Sequence, residues 1–201
     1  MVDEPVTTGL SIGEKLKTLR ESKGKSTEEL ADEVKLTAVV ISQIERGVTT
    51  PPVGTLIKLA SALGANVGYF FEEEHGTPRV EVVRAGERKR IRRKLTHRQS
   101  PLSYAYESLA FRKSNKKMEP FLVEFDIDVE EEVPLLKHEG EEFIFVLEGE
   151  VEARLGGEVV LLKQGDSLYF ESEVPHSFVG RGHSRPRALA VLSVGAEYRG
   201  A

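Results

Sequence analysis

The chain has 201 residues, 39% hydrophobic and 30% charged, with no cysteine and a formal net charge of −5. That length suits one large domain or two small ones, and the composition is that of a soluble, globular protein rather than a disordered one. The missing thiol excludes disulfides, cysteine-ligated zinc or iron–sulfur and a thiol nucleophile, while the absence of any bilayer-length apolar run or basic-then-apolar leader leads us to expect a cytoplasmic protein with no membrane partner.

The charge is unevenly laid out. Residues 11–71 carry eight Lys and Arg against seven acids, residues 79–98 nine against two, and residues 119–175 three against seventeen. This three-part pattern predicts two domains joined by a basic connector.

The first segment predicts about five short helices. SIGEKLKTLRESKG places Ile12, Leu16 and Leu19 at helical spacing and stops at Gly24. STEELADEV follows, with Ser26 or Thr27 as cap and acids in its first turn. Thr37 opens AVVISQIERG, and Pro51 and Pro52 precede VGTLIKLASALG and a closing VGYFF. Helices this short need each other's apolar faces, which predicts an all-α bundle. In the connector, VEVV reads as a short strand, and the remainder is too charged to bury. Its basic side chains suit either phosphate contacts or pairing with the acidic third segment. The third segment predicts seven or more strands: PFLVEFDI, FIFVLEG, VEARL, EVVLL, SLYF, HSFVG and ALAVLSV, with Gly156-Gly157 as a two-residue hairpin turn. Short strands at this spacing predict an all-β sandwich or barrel.

Within the helical segment, STEELADEVKLTAVVISQIERG has a helix-turn-helix layout. Ala31 sits where a second helix crosses closely, KLT is the turn, and Ile41 and Ile44 form the buried side of the second helix. Thr37, Ala38, Val39, Ser42 and Gln43 are left at the exposed front, where such a helix meets the major groove. Gln43 suits adenine, Thr37 and Ser42 a phosphate or base edge, and Val39 or Val40 a thymine methyl. The run LKTLRESKGKSTEELADEV, then ISQIERG, then PPVGTLIKLASALG resembles the XRE (Cro/C1-type) helix-turn-helix family over roughly residues 10–71. Thr27 stands where that family often has a phosphate-contacting glutamine, and Lys35 where it often has glycine.

In an extended segment His138, Gly140 and Glu142 share one face, and His176 follows Pro175 after SLYF. Two imidazoles and one carboxylate on one face suit a divalent metal with open positions, whether iron, zinc, manganese or nickel. The competing reading is a pair of pocket histidines hydrogen-bonded to Glu142. LLKHEGEEFIFVLEGEVEARL and QGDSLYFESEVPHSF resemble the two motifs of the cupin family, a double-stranded β-helix or jelly-roll barrel, across roughly residues 120–194. By that resemblance His138, Glu142 and His176 match three of four usual metal ligands, and Leu136 replaces the fourth. Small barrels commonly hold one ligand, and Tyr104, Tyr106, Phe125, Phe145, Tyr169 and Phe178 are the expected pocket walls.

The expected organisation is a helix-turn-helix domain at 10–75, a basic connector with lead-in strands at 76–117, and a cupin-type sensor domain at 118–195. Together the resemblances imply a transcription regulator that binds double-stranded DNA as a homodimer and answers to a small-molecule effector in the cupin. The alternative is a non-heme iron oxygenase resembling 2-hydroxypropylphosphonate epoxidase. In that reading His138, Glu142 and His176 hold iron, Tyr104, Tyr106 or Lys23 hold an anionic substrate, and the helix-turn-helix is vestigial.

Overall fold

The computed structural model describes residues 11–71, 78–92, 104–113, 116–127 and 135–193. The expected boundary at 75–76 and the end at 195 fall outside them.

The helical head comprises α1 (Ile12–Ser22), α2 (Thr27–Val34), α3 (Ala38–Glu45), α4 (Val53–Ala62) and a 3-10 turn at Val67–Phe70. Its boundaries follow from capping chemistry. Ser11 with Glu14 and Ser26 with Glu29 form reciprocal capping boxes, each satisfying two amide donors that a helix start leaves without partners. The Thr37 hydroxyl accepts from the Val40 amide at the start of α3. Leu16, Leu30, Ile41, Ile44, Leu56 and Leu59 are almost wholly removed from water and form the centre of the head.

Gly13 sets how closely α1 approaches α3. A Cβ there would lie 2.2 Å from the Ile44 carbonyl oxygen and 2.7 Å from that of Glu45, both backbone atoms that cannot rotate away. Gly13→Ala is therefore expected to cost about 1–3 kcal/mol, the usual range for overpacking. The urea midpoint of the full chain reads this directly, and an unchanged midpoint would contradict the close approach.

The third segment folds as two antiparallel sheets. One holds β1 (Lys89–Arg92), β2 (Tyr104–Ser108), β3 (Met118–Phe125), β9 (Arg187–Ser193), β4 (Glu141–Glu148) and β7 (Ser167–Glu171), in the spatial order β1-β2-β3-β9-β4-β7. The other holds β6 (Glu158–Lys163), β5 (Glu150–Leu155) and β8 (His176–Arg181), in the order β6-β5-β8. Each of the seven expected runs is a strand. Gly156 and Gly157 have φ of 58° and 110° and close the β5–β6 hairpin, a backbone that favours glycine at both positions. Val146, Val151, Ala153, Phe170, Ala188 and Ala190 belong to the buried core of this domain.

The connector departs from expectation. VEVV is not a strand, because no partner strand lies alongside it among the described residues; Val80 is 81% and Val82 58% exposed. The strand instead forms in the basic run, as β1 at a sheet edge. Arg88 and Arg90 in this run are paired with acids rather than buried. Arg90 reaches Glu124 at 2.7 Å and Glu107 at 3.4 Å, and Arg88 reaches Glu107 at 3.6 Å. These arginines serve the acidic β domain, as the second reading of the connector required.

Head and barrel share a buried seam. Phe71 packs edge-on to Phe121 at 5.2 Å and to Tyr106 at 6.1 Å, a favoured aromatic geometry. The Tyr106 hydroxyl donates to the Pro51 carbonyl, and the Asn66 amide donates to the Lys116 carbonyl. Lys116 and Glu119, both buried, form an ion pair at 3.3 Å beside Gly68.

Candidate functional site

Alternation along β4 decides which side chains enter the barrel. Glu142, Ile144 and Val146 are buried, whereas Glu141 is exposed and Phe143 and Phe145 are only partly buried. Glu142 thus faces inward from the start of β4. His176 opens β8, where its backbone exchanges two hydrogen bonds of 2.8 Å with Leu136. His138 lies just beyond that bridge, its amide donating to the Ser172 carbonyl. The three side chains converge, with His138 Nε2 2.7 Å and His176 Nε2 3.4 Å from Glu142 Oε1. One ligand atom from each lies within 4.8 Å of the others, and all three residues are buried.

The outer nitrogens of the two rings are oriented by main-chain carbonyls. His138 Nδ1 is 3.0 Å from the Glu139 carbonyl oxygen, and His176 Nδ1 is 2.8 Å from that of Val174. A carbonyl only accepts, so each Nδ1 carries the proton and, in a neutral ring, Nε2 presents its lone pair inward. This is the outer-shell arrangement that prepares histidine for a metal. Burial pushes the Glu142 carboxyl pKa up, but contact with His138 and His176 and their charge outweigh burial and hold it below the ordinary value. With both Nε2 atoms unprotonated the cluster sets two lone pairs around an anion, an arrangement that either a proton on a ring or a divalent cation would neutralise. The donor set, two nitrogens and one carboxylate oxygen, fits a divalent transition metal. Leu136 sits on the pocket wall and supplies no fourth ligand.

Above the cluster lies a cavity of about 80 Å³, walled by Phe121, Phe125, Ile144, Phe178 and Leu192 among others. That space holds only a few water-sized spheres, and its lining suits only a small, mostly apolar molecule. Tyr104, Phe125 and Phe178 line it as expected. Tyr106 does not; it packs behind Tyr104 with ring centres 5.9 Å apart and is 1% exposed. Phe145 is on the opposite face of β4, and Tyr169 is 62% exposed on the outer side of β7. The aromatic that does reach the site is Phe170, whose ring lies 4.9 Å from that of His176. Sequence parity held that signal, because inward-facing Glu142 pairs with Phe170 across the β4–β7 ladder.

The cavity's remaining wall comes from the head. Val53 and Gly54, the first residues of α4, line it. The Val53 amide donates to the Tyr104 hydroxyl at 3.0 Å. A Cβ on Gly54 would meet the His138 ring at 3.2 Å and Leu136 at 3.5 Å. No sequence pattern could reveal this contact, which joins residues more than eighty positions apart.

At the other side of the head, α3 shows Thr37 and Val39 exposed, and Ala38, Val40, Ser42 and Gln43 partly exposed. Ala38 and Val40 pack against the head core, and the Thr37 hydroxyl is engaged as a cap. Thr27 is partly exposed, its hydroxyl donating to Glu28. Val39, Ser42 and Gln43 are the outward-facing candidates that remain.

Comparison with known proteins matches the helix-turn-helix model HTH_3 at residues 16–70 and the cupin domain model Cupin_2 at residues 123–192. The HTH-type transcriptional regulator PuuR of Escherichia coli K12 is 28% identical over 180 residues, 85% of this chain and 88% of that protein. A crystal structure of an HTH_3 family transcriptional regulator from Vibrio cholerae shares the fold, with a TM-score of 0.63 at 22% identity over 92% of this chain and 95% of that one. The crystal structure of Fe(II)-HppE with the alternative substrate (S)-1-HPP has a TM-score of 0.50 at 25% identity, covering 94% of this chain and 100% of that one. No helix among the described residues is long and apolar enough to cross a membrane. With both domain models matched in this order, and with a helix-turn-helix regulator aligned along most of its length, the chain carries an XRE-type HTH_3 domain followed by a C-terminal Cupin_2 domain and is homologous to the HTH-type transcriptional regulator PuuR.

Proposed function

We propose that α3 reads an operator in double-stranded DNA and that a small, mostly apolar effector in the cupin cavity, held beside a divalent metal on His138, Glu142 and His176, controls how the head is placed. The carrying observation is the wall shared by cavity and head. Val53 and Gly54 face the cavity, while α4 also packs on α2, the helix that supports α3. An occupant that shifts His138 or Leu136 by even a few tenths of an ångström presses on Gly54. Packed interfaces transmit such shifts as changes of placement rather than absorbing them.

The chain acts as a homodimer in this reading, with two α3 helices entering major grooves one turn apart. A change in head placement then alters the fit to both half-sites at once. A coupling of about 1–3 kcal/mol is enough to switch occupancy. The metal, when bound, supplies a Lewis-acid position for one donor atom of the effector. The chain's own residues orient the ligand nitrogens and exclude bulk water from the cavity.

Base reading rests on Gln43, with Ser42 and Val39 beside it. Gln43→Ala is expected to reduce discrimination between operator and scrambled DNA by about 1–3 kcal/mol, the worth of a bidentate glutamine–adenine pair. Non-specific affinity at low salt should stay unchanged, since it depends on phosphate contacts. Fluorescence anisotropy with both duplexes measures the two terms, and full retention of discrimination would contradict the assignment.

The iron-oxygenase reading draws on the same triad. Against it, the cavity wall is mainly apolar and offers few donors for a charged substrate. Product formation from an anionic substrate under Fe(II) and oxygen, lost in Glu142→Gln, would favour it over an effector site.

A further inference from the structure

A second cleft, of about 740 Å³, opens outside the barrel between the head and the loop that precedes β4. Its head wall carries Lys35, at the end of α2, and Lys58, in the middle of α4; its barrel wall carries Lys137. None of these lysines has an ion-pair partner among the described residues. Lys58 is partly buried, and burial first and then the charge of Lys137 push its pKa below the ordinary lysine value. Two ammonium groups from different domains thus feel each other across the cleft. Of the acids that share the lining, Glu33 is tied to Lys25. Glu139 and Glu173, on the barrel wall, form no ion pair with the lysines.

Lys35 supplies a separate observation. It has φ 59° and ψ 44°, a left-handed backbone that costs a side-chain-bearing residue roughly 1–2 kcal/mol and that glycine adopts freely. A lysine held there at that cost, with its side chain lining the cleft, points to a use for the ammonium group.

We propose that this cleft is a binding site for a small metabolite bearing an oxyanion, carboxylate or phosphate, which bridges Lys58 of the head to Lys137 of the barrel with Lys35 at its edge. The volume suits a metabolite, and interfaces between domains are a common place for such sites. An oxyanion between the two ammonium groups replaces their repulsion with two charge-assisted hydrogen bonds. The cleft is distinct from the barrel cavity and meets the triad at one residue, His138, which lines the cleft and contacts Glu142.

The test is calorimetric titration of the full chain with sodium citrate, inorganic phosphate and pyrophosphate, each against sodium chloride at matched ionic strength. The expected result is saturable binding of at least one of the three. The affinity should fall at least about tenfold in the Lys58→Met, Lys137→Met double variant, as loss of charge-assisted contacts implies. Citrate alone would assign carboxylate chemistry, and phosphate or pyrophosphate alone would assign phosphoryl chemistry. If the double variant fails to fold, Lys137→Met, on an exposed loop, carries the comparison. No saturable heat with any of the three anions, or equal affinity in the lysine variants, would overturn the proposal.

Discussion

Glu45→Ala is expected to destabilise the head by about 3–5 kcal/mol, the cost of stranding one partner of a buried ion pair. Arg20 grips Glu45 through two nitrogens, Nε to Oε1 at 2.6 Å and Nη2 to Oε2 at 3.0 Å, joining α1 to the end of α3. Both side chains are nearly sealed, at 10% and 7% exposure, so solvent does not screen the pair as it would at the surface. Without Glu45 the guanidinium keeps, among the described residues, the Lys25 carbonyl and a 3.7 Å approach to Glu21. Small domains are stable by about 5–15 kcal/mol in total, so the loss is a large share. Since Glu45 ends α3, the recognition helix is released as well. Urea denaturation of the full chain and operator anisotropy should both register the change, and Glu45→Gln should lose less on each. A cost below about 1 kcal/mol would place the pair among ordinary surface bridges and contradict its role as a clamp.

Glu142→Gln is expected to lower affinity for a divalent transition metal by more than the ~10–100-fold typical of second-shell changes, because it removes the anionic ligand itself. The amide is nearly the same size, so the barrel should remain folded. His138→Gln and His176→Gln should weaken binding in the same direction. Competition titration of the metal-stripped chain against a chromophoric chelator, anaerobic for Fe(II), gives the affinities. The same titration separates the two ways of neutralising the cluster. If protons on the imidazoles serve instead of a metal, the wild type will take up none of Fe(II), Zn(II), Mn(II) or Ni(II), and the metal part of the proposal fails.

The head was legible in the sequence because its helix ends are local chemistry. Ser11 with Glu14, Ser26 with Glu29 and the glycines at 24, 47 and 64 mark starts and stops within a few residues of themselves. The triad was legible because equal parity puts His138 and Glu142 on one face and the cupin-like motifs supply His176. Phe145 and Tyr169 were misplaced because aromatic character was weighed above parity; Phe170, in step with Glu142, is the ring that meets His176. VEVV failed as a strand because a strand needs a partner, and the partner of β2 is a basic run whose charges are answered by Glu107 and Glu124. The head wall of the cavity was out of reach, since Gly54 against His138 is a product of tertiary packing alone.

The most direct test of the account is fluorescence-anisotropy binding to the DNA upstream of the protein's own gene and to a pool of genomic fragments. It is run at near-physiological salt against scrambled competitor, with the metal-loaded and metal-stripped full chain. The account predicts a fragment whose binding the competitor does not remove, with an affinity that differs about 5–150-fold between the two forms. No preference for any fragment in either form would contradict it.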